Sequence, residues 1–179
     1  MPSVLVPLPA GFEELETVAP VDVLRRAGAE VVVAALGPDR TVTGRNGLVL
    51  VADALLTDRL ADAFDCILLP GGPGVKHLRA DLGLRTALQR QAAAGRWLAA
   101  ICAAPTVLLD AGLLANRRYT AHASVAAELP ARLGTERVVV DGRLVTSRGA
   151  GTALEFGLAL VTHLFGPEKS AEIAHSIGW

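Results

Sequence analysis

The sequence predicts an α/β fold in which a mostly parallel sheet is covered by helices on both faces. Three observations carry this. Short apolar runs alternate with helical stretches along the chain; those runs are apolar throughout rather than at every second residue; and 51% of the 179 residues are hydrophobic, enough for one substantial core. With no long linker, repeat or low-complexity stretch, residues 1–179 read as a single domain.

The runs "SVLVPL" (3–8), "EVVVAAL" (30–36), "DCILLP" (65–70) and "RWLAAIC" (96–102) are the expected strands, each bounded by Gly, Pro or a charged residue. Helices are expected over 14–27 and 76–94. In the second, Leu78, Leu82, Leu84 and Leu88 recur near helical spacing, and Gly95 supplies a C-terminal stop. Pro20 interrupts the first, because it has no N–H for the carbonyl of residue 16. The helix either starts just before Pro20 or is distorted there, and both outcomes leave Glu16 at its N-terminal edge. "RVVVDGRLVTS" (137–147) carries Asp141-Gly142 between two β-branched runs, the mark of a small β-hairpin, expected at one sheet edge. An amphipathic helix over 152–166 and a shorter one after Pro167 complete the order.

Charge and composition exclude several roles. Seventeen basic residues against eighteen acidic ones, without a block of either sign, argue against nucleic acid or an anionic membrane surface as partner. No apolar run reaches the length of a membrane span, and the N-terminus has no basic leader. Cys66 and Cys102 therefore read as free thiols of a cytoplasmic protein.

Ligands of open α/β sheets sit beyond the carboxyl ends of the strands, which brings Gly11–Glu16, Gly71-Gly72 and Cys102 toward one crevice. Cys102 stands between a strand and a proline-started helix. It is either a small hydrophobe in the core or a nucleophile at an elbow, where the helix N-terminus would favour thiolate. Cys66, at a strand start, reads as packing. "PGGPG" (70–74) lacks the pattern of a phosphate loop and is either an oxyanion-binding turn or a plain tight turn. Glu13, Glu14 and Glu16 either cap a helix as solvated acids, or Glu16 points inward, where a thiolate neighbour would keep it protonated. His122, in "YTAHAS", follows a short strand-like piece. His77, His163 and His175 lie on helical stretches and read as surface or core residues, and no ligand spacing suggests a metal.

The segments "GFEELETVAPVDVLRRAG", "DCILLPGG", "AAICAAPTVLL", "TAH" and "TSRGAGTALEFGLALV" together resemble the DJ-1/PfpI (ThiJ/PfpI) superfamily, in its DJ-1 and YajL branch, over nearly the whole chain. The resemblance implies a flavodoxin-like sandwich that forms a homodimer. It implies Cys102 as reactive cysteine, Glu16 as its protonated carboxylic partner, His122 nearby, and the backbone around Gly71, Gly72 and Ala103 as an anion pocket. Arg148 and Asp22 would be structural or interfacial. The branch also sends an arginine toward the partner subunit's site from a "CSR" context; here "TGRNG" displaces Arg45 by one position and puts Asn46 in that slot. The chain ends at Trp179 without the extra helix of the animal branch, which points to a bacterial type with a more open cleft.

A thiolate, a neutral acid and a histidine suit cofactor-free attack on small reactive carbonyls. The expected reaction is a glyoxalase III-like conversion of methylglyoxal or glyoxal to the hydroxy acid, with deglycase activity a variant of the same chemistry. The alternatives are an oxidative-stress sensor or redox-regulated chaperone working through Cys102, and, ranked lower, a PfpI-type cysteine peptidase or amidase, for which no in-chain acid beside His122 is evident.

Overall fold

The computed structural model describes residues 1–179. Nine strands and six helices follow in the order β1 (Ser3–Pro9), α1 (Glu14–Arg26), β2 (Glu30–Leu36), β3 (Thr41–Thr43), β4 (Val49–Val51), β5 (Ala54–Leu55), β6 (Cys66–Leu69), α2 (Val75–Ala80), α3 (Leu82–Ala93), β7 (Trp97–Ile101), α4 (Pro105–Asp110), β8 (Val138–Asp141), β9 (Leu144–Ser147), α5 (Ala153–Phe165) and α6 (Pro167–Ser176). Seven strands form one sheet in the order β5-β2-β1-β6-β7-β9-β8. All its neighbours run parallel except the terminal β8–β9 hairpin. The five central strands thus follow the flavodoxin-like 2-1-3-4-5 pattern, with its topological switch point between β1 and β6.

Side chains alternate across this sheet and build a core on each face. Val4, Val6 and Leu8 of β1, with Cys66 and Leu68 of β6, pack toward α1 and α5 through Val23, Leu24 and Phe156. Leu5, Ile67 and Leu69 point the other way, onto Leu84 and Leu88 of α3 and Val107 and Leu108 of α4. The β1–β6 ladder covers only Val4 and Leu5. It stops ahead of Pro7, which has no N–H to add to it.

Four sequence expectations change. Helix α1 begins at Glu14, with the Glu13 side chain accepting the Glu16 N–H at 2.9 Å, and runs through Pro20 instead of starting beside it. The stretch 76–94 is two helices, because Asp81 is extended and caps α3 by accepting the Leu84 N–H at 2.7 Å. Leu82 then falls in the first turn of α3 and is exposed. The β3–β4 pair and β5 went unread, although Asn46-Gly47 between "TVT" and "LVLV" is a hairpin signal. No strand precedes His122; that segment is held by side-chain and loop bonds such as Thr120 N–H to Thr146 Oγ1 at 2.9 Å.

Helix α1, which carries Glu16, lies directly on α5 at Gly157. A Cβ there would stand 2.6 Å from Val23 Cγ2 and 2.9 Å from the Pro20 Cα. Gly157→Val should therefore lower stability by about 2 kcal/mol, overpacking outweighing the gain in helix propensity. Urea unfolding reads this out, and a variant as stable as the wild type would mean that α1 can shift freely on α5.

Candidate active site

Three strand ends meet at the switch point. After β1 the chain enters α1 and carries Glu13 and Glu16 inward, with exposures of 7% and 1%. After β6 it turns through Gly71 and Gly72, the latter at φ +96°. After β7 it turns at Cys102, whose φ of +65° is a strained left-handed value for a side chain other than Gly, Asn or Asp. The elbow is fastened on both sides. Cys102 N–H donates to the Ser147 carbonyl at 2.9 Å, and its own carbonyl accepts the His122 N–H at 2.9 Å.

Gly71 lies beneath the junction. A Cβ on it would overlap the Glu16 carboxylate and stand 2.7 Å from the Cys102 Cβ and 3.0 Å from the Ile101 carbonyl. Gly72 is equally tight, 2.6 Å from the Gly11 carbonyl. These glycines hold the three segments together. The pocket wall above them, around a space of about 430 Å³, includes Cys102, Ala103, Glu13, Glu16, Gly72, His122 and Arg45.

The electrostatics are those of two acids in contact. Burial, followed by the negative charge of Glu13, pushes the Glu16 carboxyl from an ordinary 4.5 up to about 7, while the Cys102 thiol, the Gly71 N–H and Arg45 oppose the rise. Glu16 Oε2 is buried and makes no hydrogen bond, which adds to the cost of ionising it. Burial, followed by the charge and hydrogen bonding of Glu16, pushes the Cys102 thiol up to about 12, against the N–H groups of Ala103 and Gly72. The expected pull of the helix N-terminus toward thiolate is opposed here by burial and by Glu16. α4 has only six residues and starts three positions later, and burial outweighs it. Each group raises the other's cost of ionisation, so both are held toward their neutral forms and the carboxyl, at about 7, is the one nearer to releasing its proton.

His122 Nδ1 accepts from the Ser124 N–H at 3.2 Å and lies 2.9 Å from the Ser124 hydroxyl. In the neutral ring this leaves the proton on Nε2, and no carboxylate bonds to the ring. That is not the arrangement of a cysteine–histidine–acid triad.

The remaining candidates divide. Arg45 lines the pocket of its own chain. Asn46, in the slot expected to cross to a partner, instead donates from its backbone N–H and Nδ2 to Glu14 at 2.6 and 3.0 Å. Gly71 is not on the pocket wall, and its N–H serves Glu16. Asp22 pairs with Arg26 at 2.7 Å on the outer face of α1. Half-buried Arg148 reaches the Thr135 carbonyl at 3.3 Å and lines an adjoining cavity with His122. Sequence reading missed the pocket role of Glu13 and the hold of Ser124 on His122; the "HAS" spacing was the available signal for the latter. Cys66 is fully buried, its thiol pushed far up by burial, as packing requires.

Fold and pocket together define a flavodoxin-like α/β protein organised around a cysteine elbow. Comparison with known proteins makes the assignment specific. The chain belongs to the DJ-1/PfpI family, whose model matches residues 2–163. It is 42% identical over 177 residues to Protein DJ-1 homolog A of Arabidopsis thaliana, covering 96% of this chain but 45% of that protein, so the chain spans under half the length of that relative. It is 38% identical over 170 residues to the Caenorhabditis elegans Glutathione-independent glyoxalase DJR-1.2, covering 93% of this chain and 90% of the other. Among solved structures, oxidized Toxoplasma gondii DJ-1 superposes with a TM-score of 0.95 at 37% identity, covering 100% of this chain and 99% of that one.

The raised carboxyl has a stability consequence of fixed sign. A carboxyl whose folded value lies above its unfolded one contributes stability in full below about 4.5 and loses it as pH rises through about 7. The difference corresponds to about 3 kcal/mol. Glu16→Gln, which keeps the group neutral, should therefore gain on the wild type by up to that amount between pH 5 and pH 8 in urea unfolding. A constant difference would mean that Glu16 is solvated.

Proposed function

We propose that this protein is a cofactor-independent cysteine enzyme for small reactive carbonyls, converting methylglyoxal or glyoxal to the 2-hydroxy acid. The observation that carries the reading is the strained Cys102 elbow set in one pocket with a buried acid whose pKa is raised to about 7. The name of the nematode relative, a glutathione-independent glyoxalase, supports it.

The reactive form is the minor state of the singly charged pair, with the proton on Glu16 and the charge on sulfur, where the Gly72 and Ala103 N–H groups favour it. The thiolate attacks the aldehyde carbon, and the new alkoxide takes the proton from Glu16, giving a hemithioacetal. Glu16, now a carboxylate, removes the hydrogen from the former aldehyde carbon, and the electron pair moves to the neighbouring carbonyl to form an enediol. Return of that proton to the adjacent carbon, with the hydroxyl proton of the sulfur-bearing carbon passing to the neighbouring oxyanion, leaves a thioester, and water releases the hydroxy acid and regenerates the thiol. The sum is dicarbonyl plus water to hydroxy acid, with no external oxidant. The His122 Nε2–H is a donor to the substrate oxygen, not a base toward sulfur.

A second reading has its own support. The half-exposed thiol beside Arg45 and backbone N–H groups suits an anionic sulfinate, formed by two equivalents of peroxide, and a closely similar structure is that of an oxidized relative. One experiment separates the two. Turnover of methylglyoxal by the reduced protein, abolished in Cys102→Ser and reduced at least ~100-fold in Glu16→Gln, supports the enzyme. Absence of turnover, with two oxygens added to Cys102 under mild peroxide by intact mass, supports the sensor.

We also propose a homodimer through the outer face of α1 and strand β4, where Leu15, Val18, Val49 and Val51 expose apolar surface at 59%, 42%, 53% and 67%. Val51→Asp should convert a sedimenting dimer to monomer without unfolding. A wild type that sediments as monomer at micromolar concentration would rule the interface out.

A further inference from the structure

A second cavity, of about 590 Å³, lies at the opposite end of the sheet from Cys102. Its wall comes from residues just ahead of parallel strands. Asp65 precedes β6, Gly95 and Arg96 precede β7, Arg143 precedes β9, and His163 near the end of α5 closes one side. Nothing in the reaction proposed above uses this end of the molecule.

The cavity is rich in donors that have no acceptor. Arg96 and Arg143 are exposed at this cavity, and neither makes a salt bridge or a side-chain hydrogen bond. The Arg143 guanidinium is held over one face of Trp97, 4.8 Å from the ring centre, and His163 stacks on the same ring with centroids 4.6 Å apart. The stack fixes a guanidinium that would otherwise be free to turn. The Trp97 indole N–H makes no hydrogen bond and is not among the fully buried unsatisfied atoms, so it opens to the cavity. The single acid on the wall is already committed: Asp65 Oδ2 accepts the Ser3 N–H at 2.8 Å and the Ser3 hydroxyl at 3.1 Å. His163 stays neutral, its pKa lowered by burial and by Arg143, so its ring adds a hydrogen-bonding group without adding charge.

We infer that this cavity binds the phosphate group of a small phosphorylated molecule, held by Arg96, Arg143 and the Trp97 N–H. Two guanidinium forks and an indole N–H offer more donors than the two oxygens of a carboxylate can take up, and a tetrahedral oxyanion matches them. The space exceeds a lone phosphate and falls within the range of small-molecule pockets, so the phosphate is one end of a larger ligand.

The test uses inorganic pyrophosphate on the full chain. In Trp179→Phe the remaining tryptophan is Trp97, and its fluorescence reports the site. Pyrophosphate should give a saturable change with a midpoint below about 1 mM, matched by saturable broadening of the pyrophosphate phosphorus resonance. Arg96→Gln, which leaves the Trp97 stack intact, and Arg143→Gln should each weaken binding at least tenfold, and Arg143→Lys should recover part of it. Cys102→Ser should bind as the wild type does, so the result is independent of the carbonyl chemistry. A response that does not saturate and equals that of chloride at the same ionic strength would mark an adventitious ion only. Citrate binding as tight as pyrophosphate, or binding indifferent to both Gln variants, would equally overturn the assignment.

Discussion

The absence of a side chain at position 71 is the constraint on which the site depends. Residue 71 lies between the Glu16 carboxyl and the Cys102 Cβ, close enough that any Cβ would collide with both. Strands β1, β6 and β7 can therefore deliver an acid, a turn and a thiol to one point only while that position is glycine. The same closeness shuts out water and produces the electrostatics. Glu16 is 1% exposed, and desolvation outweighs the groups that favour its charged form. Geometry and chemistry at this junction have one cause.

Burying an ionisable acid and holding a cysteine in left-handed backbone both cost stability, typically by one to a few kcal/mol each. The cores on the two faces of the sheet supply the offset. The strain persists because the elbow is bonded on either side, to the Ser147 carbonyl and the His122 N–H, and cannot relax alone. Helix α1 likewise keeps Glu16 in place through two contacts far from the pocket, the Glu13 cap at its start and the Pro20–Gly157 seat on α5. Positioning of the acid is thus distributed along the helix.

The parallel sheet, its four long strands and the edge hairpin were legible in the sequence, because buried parallel strands write themselves as unbroken apolar runs between turn residues. So was the meeting of Glu16, the glycine turn and Cys102, since strand ends in such sheets share one crevice. What sequence patterns could not carry was the balance of opposing effects on a single group. A cysteine before a helix reads as an acidified thiol, yet the helix is one short piece, and partial burial together with the neighbouring Glu16 pushes the thiol the other way. Of the two outcomes read for Pro20, a helix starting beside it is ruled out, while Glu16 does fall at the N-terminal edge. One lost backbone bond is small beside the packing of Pro20 onto Gly157, and tertiary contact carries the helix through. The displacement of Arg45 by one position was legible, and the β3–β4 hairpin that sets it on the pocket wall was not.

The two ends of the sheet are built on different principles. At the carboxyl ends glycines pull backbone and side chains together until a charge becomes expensive, and reactivity follows from scarcity of partners around Glu16. At the amino ends Arg96 and Arg143 stand beside an open cavity with their donors unspent, and the neighbouring acid is bound to Ser3. A protein stabilised only for its core has no need to fix a guanidinium on Trp97 and leave its hydrogen bonds unmade. The acid and the thiol stand at the carboxyl ends, the unpaired guanidinium groups at the amino ends, and the parallel strands between them keep the two apart.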